Sequence, residues 1–494
     1  MLLMRKTKKF VINAVILTAT SLILRSLGLS FSVYLSKTVG AEAMGTFHLI
    51  LSVYFFAITV STSGIGLTMT KLISEEIALG REHCVGTLLK KGILYCLGFS
   101  VIGIGLLLAF SPVLVTACFD GAITRTPFLI LAVGLPFVSV SAALSGYFTA
   151  RRKVYKTAAG QIAEQLLKMG ITVGILLLFK PQTLTRTMCT LIVGGTVGEV
   201  FSCFYLFLCY RFEKKIVERH FVKRGQWKRL FGFALPIALS SYLRSGLSGV
   251  KQLSVPARLR KSGVQNAVEQ YGIINEMVFP VLMFPQVVLS AFSSLIVPEI
   301  TEKYTLRQGQ ALNRILTRIF KITLVFAVAT GGILFLYAKD LCFLIYGNTD
   351  IAFYLKLLAP LTVIMYLDDI VDAVLKGINC QVSVVRINIL DSLVSIFLLW
   401  YLLPLYHIKG YFMVIFIGEI LNGTLSILKL IQKTDFSISF FKWIFLPAVM
   451  IWISMLASKI LLPFSMWGSI LLSVCLYVGM LYAAGIIDYR DFKL

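Results

Sequence analysis

The chain reads as an all-α integral membrane protein with 14 transmembrane helices, set out as two parallel six-helix lobes plus two C-terminal helices. Three observations predict this. Mean hydropathy is +0.87 and 58% of the 494 residues are hydrophobic, which excludes an ordinary soluble globular protein. Fourteen apolar stretches are each long enough to cross a bilayer, which takes about 20 residues as helix. An internal repeat matches polar residues, not only apolar ones, between the two halves.

In chain order the stretches lie near residues 10–36, 45–70, 88–111, 127–149, 157–179, 187–210, 230–252, 270–297, 314–338, 355–376, 383–404, 409–431, 443–462 and 466–486. Little chain is left for a separate soluble domain. The start, Arg5-Lys6-Thr7-Lys8-Lys9 followed by an apolar run, has the charge pattern of a signal peptide. The run is long, carries Arg25 and lacks a clear small-residue cleavage site, so it reads as a retained first span. Pro256 predicts an interruption just after span 7.

The net charge of +24 raises nucleic acid as a partner, but its placement argues otherwise. With the N-terminus in the cytoplasm, the even-numbered connections and both tails hold 32 Lys and Arg, the odd-numbered connections 12, and the spans three. That is the positive-inside bias of a multi-pass protein of the plasma membrane with both termini cytoplasmic. The partners expected are membrane lipids, not nucleic acid. One outer connection breaks the bias with Lys251, Arg258, Arg260 and Lys261. These basic residues either line the outer mouth of a chamber or lie at the headgroups.

The repeat predicts the domain plan. Arg25-Ser26 recurs as Arg244-Ser245, 219 positions on. From Gly45 a register of 227 holds: Gly45 falls on Gly272, Ile73-Ser74-Glu75 on Ile300-Thr301-Glu302, Gln161 on Asn388 and Glu164 on Asp391. After a seven-residue deletion Gly198-Glu199 falls on Gly418-Glu419. Six spans per repeat return the second copy to the starting side, so the lobes are parallel, as in rocking-lobe transporters. The divisions are an N-lobe at 1–210, a basic cytoplasmic linker at 211–229, a C-lobe at 230–432 and an appendage at 433–494.

An arginine near the bilayer centre costs roughly 2.5–3.5 kcal/mol on insertion scales, so it faces protein or a wet cavity. Arg25 and Arg244, at matched positions, predict a cationic chamber for an anion. Guanidinium groups suit a multidentate anion because they are planar, multidentate and always charged. The competing reading is a buried ion pair to a carboxylate such as Glu276 or Glu199. Asp368, Asp369 and Asp372 in span 10, with Asn388 and Asp391 in span 11, form the candidate coupling site for Na⁺ or H⁺. The competing reading is that span 10 ends early or that the acids pair with Lys or Arg. His48 is a candidate chamber cation when protonated, against the alternative of a hydrogen-bonded packing residue. Glu164 and Lys168, four apart, predict an intrahelical ion pair. No nucleotide-binding P-loop, metal-ligand spacing or cysteine pair motif appears, so no resident cofactor, disulfide frame or catalytic centre is expected.

Several motifs resemble the stage V sporulation protein B branch of the multidrug/oligosaccharidyl-lipid/polysaccharide exporter superfamily. They are Arg25-Ser26-Leu27-Gly28, Val39-Gly40-Ala41-Glu42-Ala43-Met44-Gly45, Gly64-Ile65-Gly66-Leu67 and Lys71-Leu72-Ile73-Ser74-Glu75-Glu76. Phe279-Pro280 and Val297-Pro298-Glu299-Ile300 add to them. The resemblance implies a flippase for undecaprenyl-pyrophosphate-linked oligosaccharide or peptidoglycan precursor, working beside cell-wall or polysaccharide synthesis enzymes. Related lipid II flippases place further basic residues in the chamber, where this chain has Leu29-Ser30-Phe31-Ser32 and, before Phe279-Pro280, Asn275 and Glu276. Asn275 and Glu276 are therefore candidate substrate contacts. The rival readings are a cation-coupled multidrug exporter of the same superfamily, a membrane glycan polymerase or ligase, and a non-transporting scaffold. The first calls for acids, not arginines, facing its cargo. The second calls for a large outer loop that the chain lacks.

Overall fold

The computed structural model describes residues 2–119, 121–179, 183–213, 226–434, 436, 439–462 and 465–487. Most of the 211–229 linker lies outside the described residues. Every regular element among the described residues is helical. Hydrocarbon offers no water to backbone N–H and C=O groups, so an apolar chain of this length satisfies them inside helices.

Among the described residues, ten helices are long and apolar enough to cross a membrane. Two of these stretches, Ala19–Ala78 and Gln381–Ile431, are 60 and 51 residues long, on the order of 75–90 Å at helical rise and far beyond one hydrocarbon thickness. Each contains a break, at Gly40 (φ 84°) and at His407 (φ 52°) respectively. Ala267–Thr305 and Ala352–Gly377 are helical but interrupted. The sequence count of 14 counts apolar stretches, whereas unbroken helices are fewer because two run on across a kink and two segments are divided.

The chain forms two compact units, Met1–Gly272 with Leu399–His407, and Ile273–Leu398 with Ile408–Leu494. The first holds α1 (Leu2–Thr62), α2 (Ile65–Ala78), α3 (Glu82–Phe119), α4 (Thr126–Ala150), α5 (Val154–Phe179), α6 (Leu184–Glu213), α7 (Gln226–Lys261) and α8 (Ala267–Gly272). Side-chain contacts hold α7 in this unit. Arg229 bridges Glu75 (2.9 Å) and the buried Glu76 (2.6 Å), and Tyr242 donates to Ser63 (2.7 Å). The packing division therefore falls later than the repeat division at residue 230.

The expected interruption at Pro256 does not occur. Helix α7 runs from Gln226 to Lys261 with Pro236 and Pro256 inside it. Membrane helices tolerate such prolines because neighbouring groups take up the freed backbone partners. The 36-residue helix is about 54 Å long, so its basic end extends past a single hydrocarbon thickness.

The second unit holds a π-helical turn (Ile273–Val278), α9 (Phe279–Met283), α10 (Gln286–Thr305), α11 (Gly309–Leu336), α12 (Ala338–Tyr346), α13 (Ala352–Leu358), α14 (Thr362–Gly377), α15 (Gln381–Ile431), α16 (Leu446–Leu461) and α17 (Met466–Ala483). Its core gathers Leu316, Phe320, Leu324, Tyr366, Val371 and Leu375, all fully buried.

The repeat is visible in the packing. A Cβ on Gly45 would come within 2.3 Å of the Val268 carbonyl oxygen, and one on Gly272 within 2.2 Å of the Ala41 carbonyl oxygen. Gly45 and Gly272 are repeat mates, as are Ala41 and Val268, so the crossing of α1 and α8 is reciprocal, as a local two-fold axis requires. Glycine is needed because the backbones touch. Within each unit separately, the glycine of the Gly-Glu pair packs on the matched acid. Gly198 lies against Glu164, and Gly418 lies against Asp391. Each unit also has one threonine-to-glycine bond between helices, from the Thr70 hydroxyl to the Gly146 carbonyl in the first and from the Thr301 hydroxyl to the Gly377 carbonyl in the second, the two lying about one helical turn out of the repeat register.

Replacing Gly45 with alanine is expected to lower the stability of the detergent-solubilised protein by about 1–3 kcal/mol, the usual cost of overpacking. Thermal unfolding of Gly45→Ala beside Gly28→Ala, where an added Cβ meets nothing within 4 Å, checks this. Equal midpoints would show that the crossing is not tight.

Candidate functional site

Arg244 is exposed on α7 and lines a cavity of about 620 Å³. No carboxylate pairs with it among the described residues, so the ion-pair alternative has no partner there. Hydroxyl side chains surround it: Ser241, Ser245 and Ser248 from α7, Thr59 and Thr62 from α1. Thr59 donates to Ser245 (3.2 Å), and Gln252 to Ser248 (3.2 Å).

Gly64, Ile65, Gly66 and Leu67 line the same cavity. The span breaks here: Ser63 (φ 44°) and Gly64 (φ 69°) take left-handed conformations between α1 and α2. A Cβ on Gly64 would also meet the Ala234 carbonyl oxygen at 3.1 Å. Helix α2 therefore begins at the cavity wall with no side-chain cap. Its first backbone N–H groups have no intrahelical acceptor, and its dipole places partial positive charge there. The break is held by hydroxyls: Ser63 Oγ is bonded to Tyr95 OH at 2.7 Å and accepts from Tyr242 OH at 2.7 Å. A permanent cation, a helix N-terminus and a belt of hydroxyls together offer the chemistry that suits an anion.

The other predicted contacts are spread out. Arg25 is exposed on the first part of α1 and is not among the side chains lining the Arg244 cavity. His48 is half-buried and packs edge-on against Tyr271, ring centroids 5.7 Å apart. In the second unit, Asn275 donates to Tyr411 OH (3.1 Å). Asn275 and the half-buried Glu276 sit in the π-helical turn, a feature common at functional sites. Of the outer basic residues, Arg258 stacks over the Trp400 ring at 3.6 Å. Arg260 shares a 230 Å³ pocket with Glu42 and Glu269. Lys251 is half-buried, and Lys261 is exposed at the helix end.

Another group of polar residues lies in the second unit. Asp368 accepts from Asn422 Nδ2 (2.7 Å), which also reaches Asn388 Oδ1 (3.5 Å). Asp368 Oδ1 and Asn422 Oδ1 are buried and meet no donor in strict hydrogen-bonding geometry among the described residues, with the Ser426 hydroxyl beside Asp368. Asp369 instead accepts from Gln286, Asp372 lies 3.8 Å from Lys376, and Ser395 donates to Asp391 (3.4 Å). The three acids of span 10 thus point to three different partners. Back in the first unit, Glu199 Oε2 accepts from the buried Tyr54 (2.7 Å). Gly134 makes room for this pair, since a Cβ there would fall 2.3 Å from that oxygen.

Sequence reasoning missed the α2 N-terminus, the hydroxyl belt and Asn422. Gly64-Ile65-Gly66 was the signal for the first, an αL-permissive pair inside an apolar run. Asn422, a lone amide in span 12, was a signal of the same kind as Asn388.

The fold and these sites define a helical membrane transporter, a multi-pass protein. Residues 10–303 match the family described as "Polysaccharide biosynthesis protein", and the chain belongs to that family within the multidrug/oligosaccharidyl-lipid/polysaccharide superfamily of flippases and transporters. It is 25% identical to "Stage V sporulation protein B" of Bacillus subtilis (strain 168), over 83% of this chain and 82% of that protein. It is 22% identical to "Lipid II flippase MurJ" of the same organism, over 76% and 74% of the two chains. Among solved structures, Lipid II flippase MurJ in an inward closed conformation superposes with a TM-score of 0.73 at 15% identity, covering 96% of this chain and all of that one. An inward-facing multidrug resistance MATE family transporter gives a TM-score of 0.62 at 13% identity, over 84% and 96%. Lipid II flippase MurJ and the MATE family transporter are named for flipping and transport, and none of these relatives is named for an enzymatic activity.

Replacing Ser63 with alanine removes the shared partner of two tyrosine hydroxyls. A loss of about 1–3 kcal/mol follows if neither finds another acceptor, read as a fall in the thermal midpoint. Tyr242→Phe, which removes one bond of the set, is expected to cost less. The reverse order would show that Ser63 does not hold the break.

Proposed function

We propose that this protein is a flippase that moves an undecaprenyl-pyrophosphate-linked oligosaccharide or peptidoglycan precursor across the plasma membrane by alternating access. The observation that carries the proposal is the cavity of about 620 Å³ into which Arg244 and the start of α2 project. A pyrophosphate fits such a surface: its oxygens take charge-assisted bonds from the guanidinium and further bonds from N–H groups and hydroxyls. The sugar would exchange its water for serine and threonine hydroxyls. Arg25 would supply a second cation, and His48, Asn275 and Glu276 would act as further contacts. The curated relative named Lipid II flippase supports the cargo class, and the one named Stage V sporulation protein B supports a role in the envelope of a spore-forming cell. Both termini would lie in the cytoplasm, beside the enzymes that build the cargo. The basic end of α7 would meet the outer mouth.

Coupling is proposed at Asp368, Asn388, Asp391 and Asn422, with Asp369 and Asp372 on its flank. Two buried acceptor oxygens without donors in strict hydrogen-bonding geometry suit Na⁺ or a proton. An ion there would bias the conformational equilibrium only by its differential affinity for the two states.

The test is translocation of a fluorescent lipid-linked sugar in proteoliposomes with an imposed inside-negative potential. Arg244→Ala is expected to reduce the initial rate at least about tenfold, and Arg244→Lys to recover part of it, because lysine keeps the charge but not the planar fork. Wild-type rates in Arg244→Ala together with Arg25→Ala would sink the proposal. For coupling, Asp368→Asn is expected to abolish any dependence on a Na⁺ or H⁺ gradient while leaving a potential-driven rate. Retained dependence would move the coupling site elsewhere.

A further inference from the structure

A second cavity, of about 280 Å³, lies against the first. Helices α1, α3 and α7 build it. Its floor is buried side chains, Ala57, Leu107 and Leu114, and its rim is Phe110 and Val250, about half exposed. The one polar side chain in the lining is Ser52, whose hydroxyl already donates to the Leu49 carbonyl (2.7 Å). A water needs two to four polar partners, so this crevice does not hold water, and it suits hydrocarbon. Its volume accommodates on the order of nine water-sized groups, enough for a short run of alkyl or isoprenoid chain.

Its position gives the crevice its meaning. Ser52 and Gly249 line both this cavity and the Arg244 cavity. The wall between them is thin because α1 and α7 meet through small residues. A Cβ on Gly246 would stand 3.4 Å from the Phe56 ring, and one on Gly249 3.9 Å from the Ser52 carbonyl oxygen. A cationic, hydroxyl-lined hollow thus adjoins a dry apolar slot, and the pair matches an amphiphile with an anionic head and a hydrocarbon tail. The geometry points to the crevice between α1, α3 and α7 as the seat of the first isoprenoid units of the cargo, next to its pyrophosphate. This rests on the anionic-headgroup reading above and adds to it: the protein, not bulk lipid, holds the head-proximal part of the chain. The crevice then favours a prenyl-linked pyrophosphate over a free sugar phosphate of the same charge.

The test uses the full chain in nanodiscs and two probes, inorganic pyrophosphate and geranyl pyrophosphate, which carries two isoprene units. Val250→Trp fills the rim from an exposed position and leaves the hydroxyl cavity alone. It is expected to weaken geranyl pyrophosphate at least about tenfold, in keeping with the buried methylenes it displaces. Inorganic pyrophosphate should bind as it does to wild type, which also shows that the variant is folded. Arg244→Ala should weaken both probes. Unchanged geranyl pyrophosphate affinity in Val250→Trp, or equal loss of both probes, overturns the crevice. A diazirine-bearing geranyl pyrophosphate gives an independent reading. It should label the peptides containing Phe110 and Val250, competed by geranyl pyrophosphate and not by phosphatidylglycerol. Equal competition by phosphatidylglycerol means an ordinary lipid groove and overturns the inference. If inorganic pyrophosphate does not bind and Arg244→Ala changes neither probe, the headgroup reading fails, and the labelling alone decides the crevice.

Discussion

The absence of water from the hydrocarbon layer is the constraint on which this structure depends. Each polar group inside a span must find a partner in the protein or open onto a wet hollow. Most intramembrane polar groups take the first course. Glu199 is held by Tyr54, and Ser63 by Tyr95 and Tyr242. Arg244 takes the second, on the cavity it lines, while Asp368 Oδ1 and Asn422 Oδ1 are buried with no donor in strict hydrogen-bonding geometry among the described residues. A charge left open on a cavity, as at Arg244, marks the candidate site; an unpaired hydroxyl alone does not, since Ser61 and Thr323 are also buried with no partner in hydrogen-bonding geometry among the described residues.

The same constraint accounts for the glycines. Where two backbones must touch, a side chain would hold them apart, so Gly45 and Gly272 face one another across a crossing whose near contacts are carbonyl oxygens. Where a span must break, the chain needs a residue at ease with positive φ, and Gly64 supplies it beside the strained Ser63. That break turns a passive stretch of span into the uncapped start of a helix at the cavity wall. Buried hydroxyl bonds around Ser63 offset the backbone strain.

Much of this was legible in the sequence. The helical class followed from hydropathy, and the repeat from residues too polar to match by drift. Gly198 and Gly418, and likewise Glu164 and Asp391, matched by register, and within each unit the matched glycine lies against the matched acid. Arg244 was visible because a guanidinium in an apolar run has few explanations. The break at Gly64 was harder to read, since a glycine in a membrane helix more often marks close packing than an end. Pro256 misled for the converse reason: a soluble-helix rule was applied to a helix whose neighbours repair the missing bond. The sorting of Asp368, Asp369 and Asp372 depended on which helix faces each, which spacing along one helix cannot show. Asn422 was invisible as a partner because span 12 lies 54 residues from Asp368 in the chain.

The energetics of the proposed cycle follow from charge alone. A potential of 100 mV is worth about 2.3 kcal/mol per charge crossing the membrane. A pyrophosphate headgroup with two negative charges moving outward, from an inside-negative cell, therefore gains about 4–5 kcal/mol per 100 mV. Cations fixed in the binding hollow do not alter this total, because they return to their starting positions. They decide only which step is driven. If Arg25, which does not line the Arg244 cavity in this structure, joins Arg244 on the headgroup during the proposed cycle, the loaded hollow is near neutral and its passage is nearly indifferent to the field. The empty hollow would then carry two positive charges, and its return inward would be the step the potential pulls. A bound cation at Asp368 would then act mainly on the balance between the two states, and the potential would act on the reset. In the proposed cycle the arginines would thus serve two ends: recognising the anion, and moving the voltage dependence onto the unloaded half of the cycle.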